Sequence, residues 1–274
     1  MESKRTDAIR IIQQKLGGLD TNSYITELIK TKNLYTDKFL IWFAKALSAI
    51  KINKDTINRL KSFKEDTSIK TDDSNNETKI IGPQGEKQMF YSTLFELETE
   101  FKFSKNGYEV TPIKPKNKGK TPDFIARKGS IKIKVEVSIT DLNDIKLTEG
   151  FDESVIKKIL DRIIKKEQQS KDLIIIQNKS FFNYIIKKRN AVLSLKKELE
   201  KHKVNILILR GVDFGYFECL PESGITQQKI DAYSGIDGVK FIRNLNEIGT
   251  IDFWLIFYNH PSQFDNEVED ILNR

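Results

Sequence analysis

Residues 121–139, TPDFIARKGSIKIKVEVSI, contain two short strands and the turn between them. Ile131, Ile133, Val135, Val137 and Ile139 alternate with Ser130, Lys132, Lys134, Glu136 and Ser138. A period of two places these sets on opposite faces of a strand. Lys128-Gly129-Ser130 is a turn signal, so the stretch predicts a hairpin. Such a hairpin can bring Asp123, at the head of one strand, together with Glu136, in the middle of the other.

Working outward, MFYSTLFELETEFKFSKNG (89–107) predicts a helix that Gly107 stops, followed by the strand YEVTPI (108–113). Downstream, ESVIKKILDRIIKKEQQ (153–169) reads as a helix and DLIIIQ (172–177) as a strand. A helix is expected across 181–202 and a strand at VNILIL (204–209), with further strands at GYFECL (215–220) and IDFWLIFY (251–258). Before all of these, residues 7–63 read as helices, among them DAIRIIQQKLGG, YTDKFLIWFAKALSAIKI and DTINRLKSF. Residues 64–79, KEDTSIKTDDSNNETK, hold one aliphatic side chain among polar and charged ones, the composition of a linker. The expected fold is α/β or α+β: a mixed central sheet flanked by helices, preceded by a small all-helical domain. The expected division is a helical accessory domain at 1–63, a linker at 64–79 and a catalytic domain at 80–274 with its core at 85–210.

Composition narrows the chemistry. The chain of 274 residues has one cysteine, Cys219, and two histidines, His202 and His260. An intrachain disulfide and the usual Cys/His zinc clusters are excluded, and a reducing, cytoplasmic setting is expected. Carboxylates, lysines and an oxygen-liking metal are the remaining tools. The opening MESKRTDAIRIIQQ lacks the apolar block of a signal peptide, and the longest apolar stretch, FLIWFAKALSAI, is broken by Lys45, so no membrane association is expected. The net charge of +7 is uneven: residues 211–274 hold 4 Lys and Arg against 11 Asp and Glu, leaving +14 on residues 1–210. A positive body suits a polyanionic partner, and a lysine-rich solvated surface is the plainer alternative.

Two converging carboxylates repel unless one takes up a proton or both share a cation. Mg²⁺ suits Asp123 and Glu136, because it prefers oxygen ligands and is commonly held by one or two carboxylates and several waters. At Pro122-Asp123 and Val135-Glu136-Val137 the chain resembles the PD-(D/E)XK, or restriction-endonuclease-like, nuclease superfamily. Phe95-Glu96-Leu97 on a helix, and Asn106-Gly107-Tyr108-Glu109-Val110 leading into a strand, are similar to its first helix and strand. The resemblance covers roughly residues 85–180. It implies a restriction-endonuclease-like core and Mg²⁺-dependent hydrolysis of DNA phosphodiesters, with Mn²⁺ able to substitute, in restriction or phage defence. By the same resemblance Asp123, Glu136 and the Val137 carbonyl hold the metal, and Glu96 contacts the metal or its water. Helical phase by itself favours Glu98 and Glu100 over Glu96.

One position departs from the pattern. The superfamily places a lysine two residues after the strand acid, where this chain has Ser138. Serine supplies no positive charge to a phosphoryl transition state. Some branches carry the lysine on the following helix. There, Val155, Ile156, Ile159, Leu160, Ile163 and Ile164 form an apolar stripe, Lys166 falls at its edge, and Gln169 lies one turn on. Lys166 is therefore the expected replacement and Gln169 a supporting group, with Lys134, on the face of Glu136, in reserve. Lys114, Lys116, Lys118 and Lys120 precede the Pro-Asp pair as a positive loop suited to phosphates, Lys134 adding to them. Lys187, Lys188 and Arg189 form a second cluster. DNA is expected ahead of RNA, and the N-terminal helices suit a homodimer or a protein partner. The alternative is a nuclease fold without catalysis, binding nucleic acid or a protein.

Overall fold

The structure is a computed structural model that describes residues 2–63, 84–113, 121–139, 153–160, 171–186, 188–202, 204–211, 235–245, 247, 251–259 and 264–273. The chain divides into two compact units, residues 1–98 and 99–274, with the boundary inside one long helix.

The first unit is helical: α1 (Glu2–Leu16), α2 (Tyr24–Lys30), α3 (Leu34–Ala49), α4 (Lys54–Ser62) and the first part of α5 (Gln84–Lys105). Ser23, Asn33 and Asn53 cap α2, α3 and α4, each side chain accepting from the backbone N–H three residues on. Each cap satisfies one of the donors a helix start leaves unpaired. Gly17 ends α1 with φ +68, a backbone that side chains with a Cβ rarely adopt. The buried Arg5 bonds Asp37 at 2.7 Å and donates to the carbonyls of Ile29 and Thr31 at the end of α2. Phe39, Phe43 and Trp42 of α3 pack face to face or tilted, and Tyr24, Phe63 and Phe90 form a second aromatic group. The short helix α2 is absent from the sequence expectation.

The second unit is a seven-stranded mixed sheet flanked by helices, in the order β1-β2-β3-β4-β5-β7-β6. The strands are β1 (Glu109–Pro112), β2 (Phe124–Lys128), β3 (Ile131–Ile139), β4 (Leu173–Gln177), β5 (Ile206–Arg210), β6 (Val239–Leu245) and β7 (Ile251–Tyr258). β3, β4 and β5 run parallel, and the remaining neighbours are antiparallel. β4 and β5 are buried at every residue, as expected of central strands covered on both faces.

On one face Ile174, Ile176, Leu207, Leu209, Leu255 and Phe257 meet α6 (Glu153–Leu160), α7 (Lys179–Ile185) and α8 (Arg189–Glu200). On the other, Leu173, Ile175, Ile208 and Trp254 share a small apolar cavity with Phe103 of α5 and with Val268, Ile271 and Leu272 of α9 (Asp265–Asn273). Full burial of each such side chain stabilises by roughly 1.5–3 kcal/mol.

The end of α5 fixes where the sheet begins. Gly107, φ +82, lets its N–H reach Ser104 O while Tyr108 N–H reaches Phe103 O, and the rings of Phe103 and Tyr108 close on each other at 5.4 Å. This is a Schellman termination with its accompanying apolar contact. The helix expected across 181–202 is broken between α7 and α8. Unbroken, it would carry Arg189 into the apolar stripe of Ile185 and Val192; the break leaves Lys188 and Arg189 exposed. β6 is a strand that the sequence expectation lacks, whereas GYFECL lies outside the described residues.

α9 gives part of the acidic C-terminal region a structural role. Tyr108 donates to Glu267 at 3.2 Å, Tyr258 donates to Glu269 at 2.7 Å, and Lys240 pairs with Glu269. Burial first, and then Glu267, push the Tyr108 phenol up to about 12. Burial and the bond to Glu269 raise Tyr258 as well. Among the described residues no helix is long and apolar enough to cross a membrane.

Candidate active site

β2 and β3 form the expected hairpin. Lys128 pairs with Ile131, leaving Gly129-Ser130 as a two-residue loop, and Gly129 takes φ +59. Gly at the first central position suits the twist of such a hairpin. Ile133, Val135 and Val137 are buried, whereas Lys134, Glu136 and Ser138 are half-buried, so the alternation read from the sequence matches the strand's two sides.

The register places Phe124 opposite Val135, and Asp123 therefore enters the sheet beside Glu136. Its peptide is held from both sides: Ile113 N–H donates to Asp123 O at 2.9 Å, and Asp123 N–H donates to Val135 O at 3.0 Å. Its carboxylate Oδ2 accepts from Val137 N–H at 2.7 Å, the amide next to Glu136. A hydrogen bond to an ionised carboxylate favours the charged form and holds the side chain in one orientation.

Glu136 meets a lysine that the sequence reading did not select. Lys171 Nζ lies 2.6 Å from Glu136 Oε2, with the lysine side chain 2% exposed and the glutamate 17%. The contact is an ion pair by distance without the alignment of a hydrogen bond. Lys171 stands immediately before β4, the parallel neighbour of β3. The next residue, Asp172, is bound to both adjoining strands. Its Oδ2 accepts from Lys134 N–H at 2.9 Å, its N–H donates to Lys134 O, and its carbonyl accepts from Ile206 N–H. These bonds fix the backbone from which Lys171 reaches Glu136.

The signal for Lys171 was slender. A lysine at the entry of an otherwise apolar central strand needs a buried partner, but strand order is required to say which. Lys134 contributes its backbone to Asp172, and its side chain is half-buried. Lys166, Gln169, Lys114, Lys116, Lys118, Lys120 and Lys187 lie outside the described residues. Glu96 belongs to the first unit, where it accepts from Ser92 Oγ at 3.3 Å; Glu98, favoured by helical phase, is the more buried of the two.

Asp123 and Glu136 are hard oxygen donors, and with Lys171 they total one negative charge. That donor set fits a divalent cation that keeps several waters better than a fully protein-ligated one. Among the described residues no group of three or more His, Cys, Asp or Glu is placed to hold a metal. Comparison with protein-family models, with curated proteins and with solved structures finds no match.

Proposed function

We propose that this protein is a Mg²⁺-dependent nuclease that hydrolyses DNA phosphodiesters, an endonuclease of restriction or phage defence. The observation that carries the reading is the convergence of Asp123 and Glu136 across β2 and β3, with the Lys171 ammonium on Glu136. Asp123, Glu136 and the Val137 carbonyl would hold the cation. When bound, Mg²⁺ supplies Lewis-acid polarisation of a phosphoryl oxygen and makes a coordinated water more acidic. Asp123, oriented by the Val137 amide, and Glu136 keep the reacting region negatively charged until the cation arrives. Lys171 supplies the positive charge that Ser138 cannot, stabilising the charge that develops on the phosphoryl oxygens. The excess of Lys and Arg over residues 1–210 supports a polyanionic substrate.

Incubating the full chain with plasmid, linear and single-stranded DNA and with RNA, in Mg²⁺, Mn²⁺ or EDTA, tests this reading. Metal-dependent cleavage of DNA is expected, abolished by Glu136→Gln and reduced on the order of 10²-fold or more by Lys171→Met. Cleavage that survives Asp123→Asn and Glu136→Gln alike would remove the assignment.

A second reading draws on the Lys171 contact itself. Lys171 already neutralises Glu136, so the fold stands without a metal, and Ser138 leaves the family position without its lysine. A chain that binds DNA but cleaves nothing in any metal would be a nuclease-like binding module.

A further inference from the structure

We infer that Lys171 is an exchangeable counter-ion that couples divalent-cation binding to phosphodiester binding, a property that rests on the metal-dependent reading above. The site is built so that one positive charge stands where a second would arrive. Lys171 Nζ is 2.6 Å from Glu136 Oε2, and its side chain is 2% exposed, so the ammonium has little water around it and relies on protein partners. Glu136, at 17%, keeps an edge toward solvent, and that edge is the route by which a cation reaches it.

A cation entering beside Glu136 meets the ammonium at close range, where the low local dielectric makes repulsion strong. With the lysine in place, the carboxylate pair offers a net charge of −1; without it, −2. The free protein therefore binds a divalent cation weakly. A phosphodiester changes the balance, because its negative oxygens give the ammonium a second partner. Lys171 can then turn from Glu136 toward the phosphate, and the carboxylates become available to the cation. The backbone bonds of Asp172 to Lys134 and Ile206 hold the base of the lysine in place, so the exchange needs only its flexible stem. By linkage, whatever factor the phosphodiester adds to cation affinity, the cation adds to phosphodiester affinity.

The test measures Mn²⁺ affinity of the full chain by electron paramagnetic resonance of the free ion, with and without a short phosphorothioate DNA duplex that resists cleavage. The same duplex with Asp123→Asn protein serves as the blank for metal taken up by DNA. The wild-type protein is expected to bind Mn²⁺ about tenfold or more tightly when the duplex is present, within the range of ordinary coupling energies. Lys171→Met is expected to bind Mn²⁺ more tightly than wild type without DNA and to gain nothing from the duplex. Equal wild-type affinity in both conditions overturns the coupling while leaving a metal-binding site intact. A folded Lys171→Met protein with wild-type Mn²⁺ affinity overturns it too. Absence of Mn²⁺ binding in either condition removes the metal-dependent reading and the coupling with it. Should Lys171→Met fail to fold, the wild-type comparison decides by itself.

Discussion

The Asp123 carboxylate accepts a hydrogen bond from the Val137 amide at 2.7 Å, so the first acid is anchored by the peptide that follows the second. Asparagine at position 123 keeps an oxygen that can accept this bond but loses the charge; alanine loses both. Asp123→Asn should therefore abolish metal-dependent cleavage with little change in urea-unfolding midpoint. Asp123→Ala should abolish cleavage and also destabilise by about 1–2 kcal/mol, the cost of an unmade bond to a half-buried amide. Equal stability loss in the two variants would show that the bond does not hold the site.

Arg210 and Asp252 form a buried pair, with side chains 3% and 1% exposed and Nη2 at 2.9 and 3.0 Å from the two carboxylate oxygens. The guanidinium also lies 4.7 Å from the Trp254 ring centre. Removing one partner strands the other charge in the interior, so Arg210→Met or Asp252→Leu should each cost ~3–5 kcal/mol. The double variant Arg210→Met/Asp252→Leu should recover much of that loss. By contrast Asp7→Ala, which breaks an exposed pair with Arg10, should change stability by less than about 1 kcal/mol. Chemical denaturation of the four variants measures all of this, and additivity in the first pair would contradict it.

Tyr108, pushed up to about 12, and Tyr258, also raised, tie α9 to the sheet through Glu267 and Glu269. In the unfolded chain a tyrosine ionises near pH ~10. Between that value and about pH 12 the unfolded state has released the Tyr108 proton while the folded state keeps it. Their contribution is thus fully present below pH ~10 and is lost as pH rises through the folded values. Tyrosinate absorbance should show a late-ionising component in the folded protein that shrinks in Tyr108→Phe and Tyr258→Phe. A titration with every tyrosine ionising near the ordinary value would contradict the docking of α9 by these bonds.

Much of the fold was legible because local chemistry repeats along the chain. Alternation gave β3, Gly129-Ser130 gave the hairpin, and Gly107 gave the stop of α5, each through backbone preferences that act over a few residues. Where a local pattern was misleading, packing decided. The break between α7 and α8 keeps Arg189 out of the core, although no glycine or proline marks it. β6 joins the sheet beside β7, an apolar strand that offers it seven paired residues.

The candidate site divides in the same way. Asp123 and Glu136 could be named from the sequence because a hairpin is a local object, its register following from a two-residue turn. Lys171 could not, since it meets Glu136 across the parallel β3–β4 pair, whose connection spans more than thirty residues and leaves the register undetermined by any turn. Sequence alone determined the acids and the strand that carries one of them. Only the tertiary structure decided which described lysine stands against Glu136, because burying an ammonium requires a partner, and strand order chooses it.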